Sequence, residues 1–300
     1  MTFASAGGGS DAGDATDAFV AHRNLLFTVA YEMLGSAADA EDVLQEAWLR
    51  WAAVDHAEVR DDRAYLVRIT TRLSLNRMRT LARRREAYVG PWLPEPLLTA
   101  PDVAEDVELA DSVSTAMLLV LETLTPTERA VFVLREVFDV GYDEIAAAVE
   151  KTPAAVRQIA HRARSHVEAR RPREPVTASQ RDAVVQRFLE ATATGDLQGL
   201  LDVLAPDVVL VTDGGGFKKA ALRPIHGRDK VLRFLSAVAP EGAVAEVVVV
   251  NGQPALRLVI GGEVDAIGTM LVEGGLVTGL YLVRNPEKLA RIDEAVPLTR

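Results

Sequence analysis

Residues 125–168, TPTERAVFVLREVFDVGYDEIAAAVEKTPAAVRQIAHRARSHVE, constrain this chain more than any other segment. A helix ends near Phe138, Gly141 marks a turn, and a short helix is predicted over Asp143–Glu150. Thr152 suits an N-cap and Pro153 the first helical position, where a missing N–H costs nothing, so a second helix starts there. Val156, Ala160, Ala163 and Val167 recur at i, i+4, i+7 and i+11 and form its apolar back. Gln158, His161 and Ser165 occupy the front, flanked by Arg157, Arg162 and Arg164. Such a helix is built to enter a DNA major groove. The alternative is an ordinary αα-hairpin with a solvated basic face; short helix, tight turn and polar face together favour DNA. Glu150 stands where such turns commonly carry glycine, and a positive φ there costs about 1 kcal/mol.

The net charge of −10 looks wrong for a nucleic-acid binder until its distribution is followed. Arginines concentrate between Arg60 and Arg85 and again between Arg157 and Arg173, while acid dominates Asp39–Glu46 and Asp102–Asp111. Each basic patch can neutralise phosphates locally, and the acidic remainder suppresses indiscriminate binding. With 49% hydrophobic residues over 300 positions, two or three cored domains are expected. No apolar run is long enough to span a membrane, and residues 1–16, rich in Gly, Ala, Ser and Asp, read as a flexible tail. The absence of cysteine excludes disulfides, thiolate chemistry and Cys-ligated zinc, and points to the cytoplasm.

A helical block spans residues 17–88. Within it, Val43, Leu44, Ala47 and Trp51 turn inward on one amphipathic helix, leaving Asp39, Asp42, Gln45, Glu46 and Arg50 outside. The next helix, about Asp61–Glu86, has a core stripe of Leu66, Ile69 and Leu73 and a polar side of Arg68, Arg72, Asn76 and Arg79. Residues 89–111 are linker-like, although Trp92, Leu93 and Leu97 are odd in a spacer. A second helical block covers 112–172, and the Pro-rich stretch ending at Pro175 breaks the chain. Beyond it, residues 178–300 read as two helices, a short helix at Asp229–Val238, and strongly antiparallel strands. The turns Asn251-Gly252, Gly261-Gly262 and Gly274-Gly275 have hairpin chemistry. This is a compact α+β domain whose sheet wraps over its helices.

The acidic segment Asp39–Glu46, the helix Arg63–Arg85 and the terminal helix-turn-helix, in that order, resemble extracytoplasmic-function sigma factors. Trp92-Leu93-Pro94-Glu95-Pro96, Asp213-Gly214-Gly215-Gly216 and Asn285-Pro286-Glu287-Lys288-Leu289 narrow the resemblance to the subgroup with a SnoaL-like, nuclear transport factor 2-like extension. It implies a multidomain fold: two all-α domains, region 2 and region 4, followed by a cone-shaped α+β domain. It also implies core RNA polymerase as partner, at the clamp helices of the largest subunit and at the flap, with Asp39, Glu41, Asp42, Gln45, Glu46 and Trp48 of region 2 set against the clamp helices. Promoter DNA is then met by Arg68, Arg72, Asn76, Arg79, Arg83 and Arg84 in region 2. In region 4 it is met by Ala155, Arg157, Gln158, His161, Arg162 and Arg164. Residues of the three strings, Glu287 apart, become regulatory contacts. No catalytic residue, metal or cofactor is implied.

The C-terminal domain leaves room for a small-molecule ligand or for chemistry, with Asp213, His226, Asp265 and Tyr281 as candidate acids or bases. Asp213 ahead of three glycines is better suited to holding a turn. Phe217 follows those glycines, so an apolar contact of the loop is expected there. Two rival functions remain. One is a ligand-sensing one-component regulator, which has no need of Asp39–Arg85; the other is a SnoaL-like isomerase or hydrolase fused to a DNA-binding module. The packing worth of Trp92 and Leu93, about 1.5–3 kcal/mol each, predicts that the linker packs on the C-terminal domain near Asp213–Gly216.

Overall fold

The structure, a computed structural model, describes residues 10–100, 103, 106–171, 174, 176–238 and 242–300. It divides into a helical unit (Met1–Leu81, Leu124–His166, Leu298–Arg300) and a second unit (Ala82–Thr123, Val167–Pro297).

In the helical unit α1 spans Ser10–Leu34, α2 Ala37–Trp51 and α3 Asp62–Glu86, the last running on into the second unit. The expected tail is therefore shorter than residues 1–16: helix begins at Ser10, and residues 1–9 lie outside the described set. Its anchor is tertiary, since the buried Trp51 indole donates to the Ala15 carbonyl at 2.8 Å. Ser36 caps α2 by accepting the Asp39 N–H, and Ala40, Val43, Leu44, Ala47 and Trp51 are buried, as the amphipathic pattern requires. Leu66, Ile69 and Leu73 are likewise buried on α3.

Region 4 continues this unit. Helix α6 (Pro126–Phe132) opens on a Thr125–Glu128 capping box and widens over Val133–Val137 before α7 (Tyr142–Val149) and α8 (Pro153–Glu168). Thr152 Oγ1 accepts the Ala155 N–H at 3.2 Å, a cap worth about 1 kcal/mol. Val156, Ala160, Ala163 and Val167 are all buried. Glu150 ends α7 with φ 57° and ψ 49°, the left-handed conformation that favours glycine.

In the second unit, α4 (Val107–Ser112) and α5 (Thr115–Leu121) precede the C-terminal domain. Placing residues 89–111 in a linker and 112–172 in one helical block thus divides the chain differently from its packing. Residues 107–112 are helical, and α5 clusters with the second unit, where Leu119 packs on its core. The break expected at Arg171–Pro175 falls largely on residues 172, 173 and 175, outside the described set.

Helices α9 (Ala178–Thr194), α10 (Leu197–Val203) and α11 (Arg228–Val238) accompany strands β1 (Leu204–Asp213), β2 (Ile225–His226), β3 (Val244–Val250), β4 (Gln253–Ile260), β5 (Glu263–Glu273) and β6 (Leu276–Val283). Among the described residues the strands form one sheet in the order β2-β1-β6-β5-β4-β3. The hairpins from β3 to β6 are antiparallel, as their turns demand. The pairing of β1 with β6 is parallel, which makes the sheet mixed rather than wholly antiparallel. No turn code announces that pairing, because β1 and β6 are brought together by the helical crossover and three hairpins between them. Val184, Phe188, Val203, Leu210, Val231, Leu256 and Met270 fill the space between helices and sheet.

Candidate nucleic-acid interface and linker clasp

The acidic row of α2 is spoken for within its own unit, in part. Arg77 donates to Asp39 and to Asp42, each at 2.7 Å, and Arg23 grips both Glu41 oxygens at 2.8 Å. Glu46 pairs with Arg50 at 2.6 Å, while Asp42, Gln45 and Glu46 remain exposed. The two tryptophans separate in role. Trp51 is core, whereas Trp48 is half-buried with its ring edge-on to Phe19 at 5.2 Å.

Along α3, Arg72, Asn76, Arg79, Arg83 and Arg84 are exposed and Arg68 is half-buried against the Tyr65 ring. Arg79 donates to Asn76 at 2.8 Å. On α8, Arg157, Gln158, His161, Arg162 and Arg164 are exposed and Ala155 is half-buried. Arg164 is held by Glu136 through bonds of 2.7 and 3.1 Å, which leaves Arg157, Gln158, His161 and Arg162 as the outward set. A helix front of this make-up can place guanidinium and amide groups against base edges.

The second unit gathers the three sequence strings into one cluster. Asp213 is fully buried at the end of β1, and its two oxygens accept four donors. The Tyr88 hydroxyl (2.6 Å) and Gly215 N–H (3.1 Å) reach Oδ1; Leu93 N–H (2.9 Å) and the Lys288 ammonium (2.7 Å) reach Oδ2. A carboxylate stripped of water and left unpaired costs several kcal/mol, so this donor set is what makes its burial tolerable. Lys288 also donates to the Leu93 carbonyl at 2.5 Å and lies over the Trp92 and Tyr88 rings. Burial pushes its ammonium down to about 8, with Asp213 opposing.

Arg85 stacks on Trp92 at 3.8 Å from the ring centroid and pairs with Glu122. Leu93, Pro94, Glu95 and Pro96 are buried. Asn285 donates to the Tyr88 hydroxyl at 2.8 Å while its side-chain oxygen caps a last short helix, α12 (Pro286–Leu289), whose Leu289 enters the core. A Cβ on Gly215 would stand 2.3 Å from the Asn285 amide nitrogen, so the loop needs glycine there for room as well as for its φ of +60°. The linker does pack beside Asp213–Gly216. Phe217 makes no apolar seat, however, being 61% exposed.

Tyr88 in this cluster, and further contacts between linker and sheet, carry no advance signal. Tyr88 reads as the end of a helix, yet its hydroxyl bridges Asp213 and Asn285, and burial beside Asp213 raises its pKa. Asn251 reads as a hairpin turn, yet its side chain accepts the Leu97 N–H and donates to the Val113 carbonyl. Leu98 and Thr99 bridge to Val250 and Val296.

The remaining candidate acids and bases are not arranged as a pair. His226 is exposed on β2. Burial pushes the Asp265 carboxyl up, but Lys218 and Arg284, both at 2.8 Å, outweigh it and hold it below the usual range. Burial raises Tyr281 to about 12, with Glu273 adding to the shift. Among the described residues no group of His, Cys, Asp or Glu is placed to hold a metal ion, and no helix is long and apolar enough to cross a membrane.

Three families match the chain in order: Sigma-70 region 2 over residues 18–84, Sigma-70 region 4 over 114–167 and the SnoaL-like domain over 185–277. The ECF RNA polymerase sigma factor SigJ of Mycobacterium tuberculosis is 38% identical, covering 90% of this chain and 91% of its own length. The chain belongs to the ECF RNA polymerase sigma factors. A second relative of this sigma family, the probable ECF RNA polymerase sigma factor SigI of the same species, is 33% identical over 91% of this chain and 93% of its own. The crystal structure of Mycobacterium tuberculosis SigJ aligns with a TM-score of 0.74 and 35% identity, covering 92% of this sigma factor and 98% of that chain. Helical sigma domains followed by a mixed-sheet SnoaL-like domain are thus the architecture of the protein. As a sigma factor it binds core polymerase and promoter DNA and directs initiation.

Proposed function

We propose that the SnoaL-like domain modulates this sigma factor in cis through the cluster around Asp213, and that it does so without catalysis. The observation that carries this reading is the four-donor burial of Asp213, which joins Tyr88, just ahead of the linker, and linker residue Leu93 to Gly215 and Lys288 of the C-terminal domain. Region 2 and region 4 flank that linker in sequence, so whatever fixes the linker biases the fraction of molecules competent to initiate. The role assigned to Trp92, Leu93, Pro94, Glu95, Pro96, Asp213, Gly214, Gly215, Gly216, Asn285, Pro286, Lys288 and Leu289 is therefore regulatory. Engagement of Asp213 and Asp265 by cations supports a noncatalytic domain.

The exposed part of the acidic row, Asp42, Gln45 and Glu46 beside Trp48, fits the clamp helices of the largest polymerase subunit, and region 4 fits the flap; both act in the cytoplasm. Asp39 and Glu41 then contribute by exchanging Arg77 and Arg23 for polymerase cations. Promoter contacts fall to α3 and to the outward set on α8. Reconstituted initiation on a cognate promoter tests the regulatory reading. Lys288→Met should change the transcript yield at saturating core, whereas unchanged yield would leave the cluster a purely structural seam.

A further inference from the structure

Arg72 is already bound. Its guanidinium donates to the carbonyls of Ala147 (2.8 Å) and Ala148 (3.4 Å) and stands 3.5 Å from the Glu150 carboxylate. Those carbonyls belong to the last turn of α7, where a helix leaves C=O groups without partners and its dipole is negative. The end of α7 thus offers Arg72 converging, electron-rich oxygens, the same kind of ligand that a phosphate offers. Glu150 deepens the likeness. It adopts a left-handed backbone that glycine would take without strain. An ion pair between groups as exposed as these offsets little of that strain, so ending the helix does not explain a carboxylate here.

The surroundings suit a contact that must open. Beside Arg72, a cleft of about 530 Å³ is lined by Asp55, Arg60, Tyr65, Arg68, Glu144 and Ala147. Val54, Val59 and Ala64 share its walls, so helices α3 and α7 face open space here and are not sealed by a closed seam. Elsewhere in the same unit the contact is firmer, since Arg129 is 1% exposed and donates to the Glu32 carbonyl at 2.8 Å.

We propose that the C-terminal end of α7, with Glu150, is an internal stand-in for promoter phosphate that holds Arg72 away from DNA until DNA displaces it. The proposal rests on the assignment of Arg72 to promoter contact. One guanidinium fork cannot satisfy the α7 terminus and a phosphate together, so DNA binding and α3–α7 separation are linked, each favouring the other.

The chain has no cysteine, so Thr80→Cys and Lys151→Cys, both at exposed positions, permit a spin-label pair across α3 and α7 in the full-length protein. Distance distributions are read for this protein alone, with Arg72→Ala, with Arg72→Lys, and with core polymerase plus promoter duplex. Arg72→Ala should raise the long-distance population about fivefold, the scale of one charge-assisted contact between part-exposed groups. Arg72→Lys should fall between, having lost the fork, and promoter complex should lengthen the distance without substitution. An unchanged distribution in Arg72→Ala overturns the proposal even if initiation remains normal. If instead the distance lengthens but Arg72→Ala leaves promoter binding at its original level, the assignment of Arg72 to DNA fails while the internal contact stands.

Discussion

On α8, Arg157, Gln158, His161 and Arg162 stand in solvent, whereas in the second unit Asp213, Leu93 and Asn285 are buried with their polar atoms mated. Both groups are polar or motif-like in the sequence, and only burial tells them apart. An exposed arginine loses little when free and gains on meeting a phosphate, so it is suited to a partner that comes and goes. A buried carboxylate with four donors is suited to being let go rarely, and its loss is felt by the fold.

The largest effect should come from the buried side. Asp213→Ala takes the carboxylate from the Lys288 ammonium, the Tyr88 hydroxyl and two backbone N–H groups, and should lower the stability of the second unit by about 3–5 kcal/mol in chemical denaturation. Arg157→Ala on α8 should stay within about 0.5 kcal/mol. Comparable losses at the two positions would erase the contrast.

Next in size is binding. Replacing Asp42 and Glu46 together by Lys should abolish retention of core polymerase while circular dichroism keeps its helical signal. Full retention would move the interface off α2.

The promoter contacts sharpen the exposed side. Gln158→Ala or Arg157→Ala should relax base preference in the upstream promoter element by about 1–3 kcal/mol. Arg83→Ala or Arg84→Ala should weaken binding evenly over sequences and flatten its salt dependence. Identical behaviour of all four would remove the distinction between reading helix and phosphate contacts.

The smallest effect is a pH slope. The folded value for Lys288 of about 8 lies below the ordinary 10.5, so between the two the unfolded chain binds more protons. Stability of the second unit therefore gains from this group as pH rises through that window, and the gain is lost as pH falls through about 8. Denaturation midpoints of wild type minus Lys288→Met should show this slope between about pH 8 and 10; parallel curves would remove Lys288 as its source.

Legibility in the sequence followed the range of the forces involved. The apolar back of α8, the Thr152 cap and the hairpin turns of β3 to β6 are local, and periodicity or turn chemistry exposed them. The left-handed Glu150 was foreseeable because it stands where such turns commonly carry glycine. The start of α1 was not, because Ala and Gly near a terminus look like a tail until Trp51 reaches the Ala15 carbonyl. The parallel β1–β6 pairing and the second role of Asn251 depend on contacts far apart in the chain. In the candidate site, Trp92 and Leu93 were visible as misfits for a spacer; Asp213 read as a turn holder, which its bond from the Gly215 N–H matches, while its bonds to Tyr88, Leu93 and Lys288 went unseen. Tyr88, whose hydroxyl completes the cluster, was hidden at a helix end. The cations that occupy Asp39, Asp42 and Glu41 were equally invisible to spacing alone.

If the linker clasp sets initiation, loosening it must change transcript yield at fixed occupancy of polymerase. Promoter-dependent transcript yield is compared for full-length protein, Trp92→Ala and a chain ending at Arg284, each at the same measured occupancy of core polymerase. Both altered proteins lose contacts to Lys288, by removing its aromatic seat or the residue itself. Both should shift yield in the same direction, upward, with the truncation larger. Equal yields from all three at equal occupancy would contradict control by the clasp.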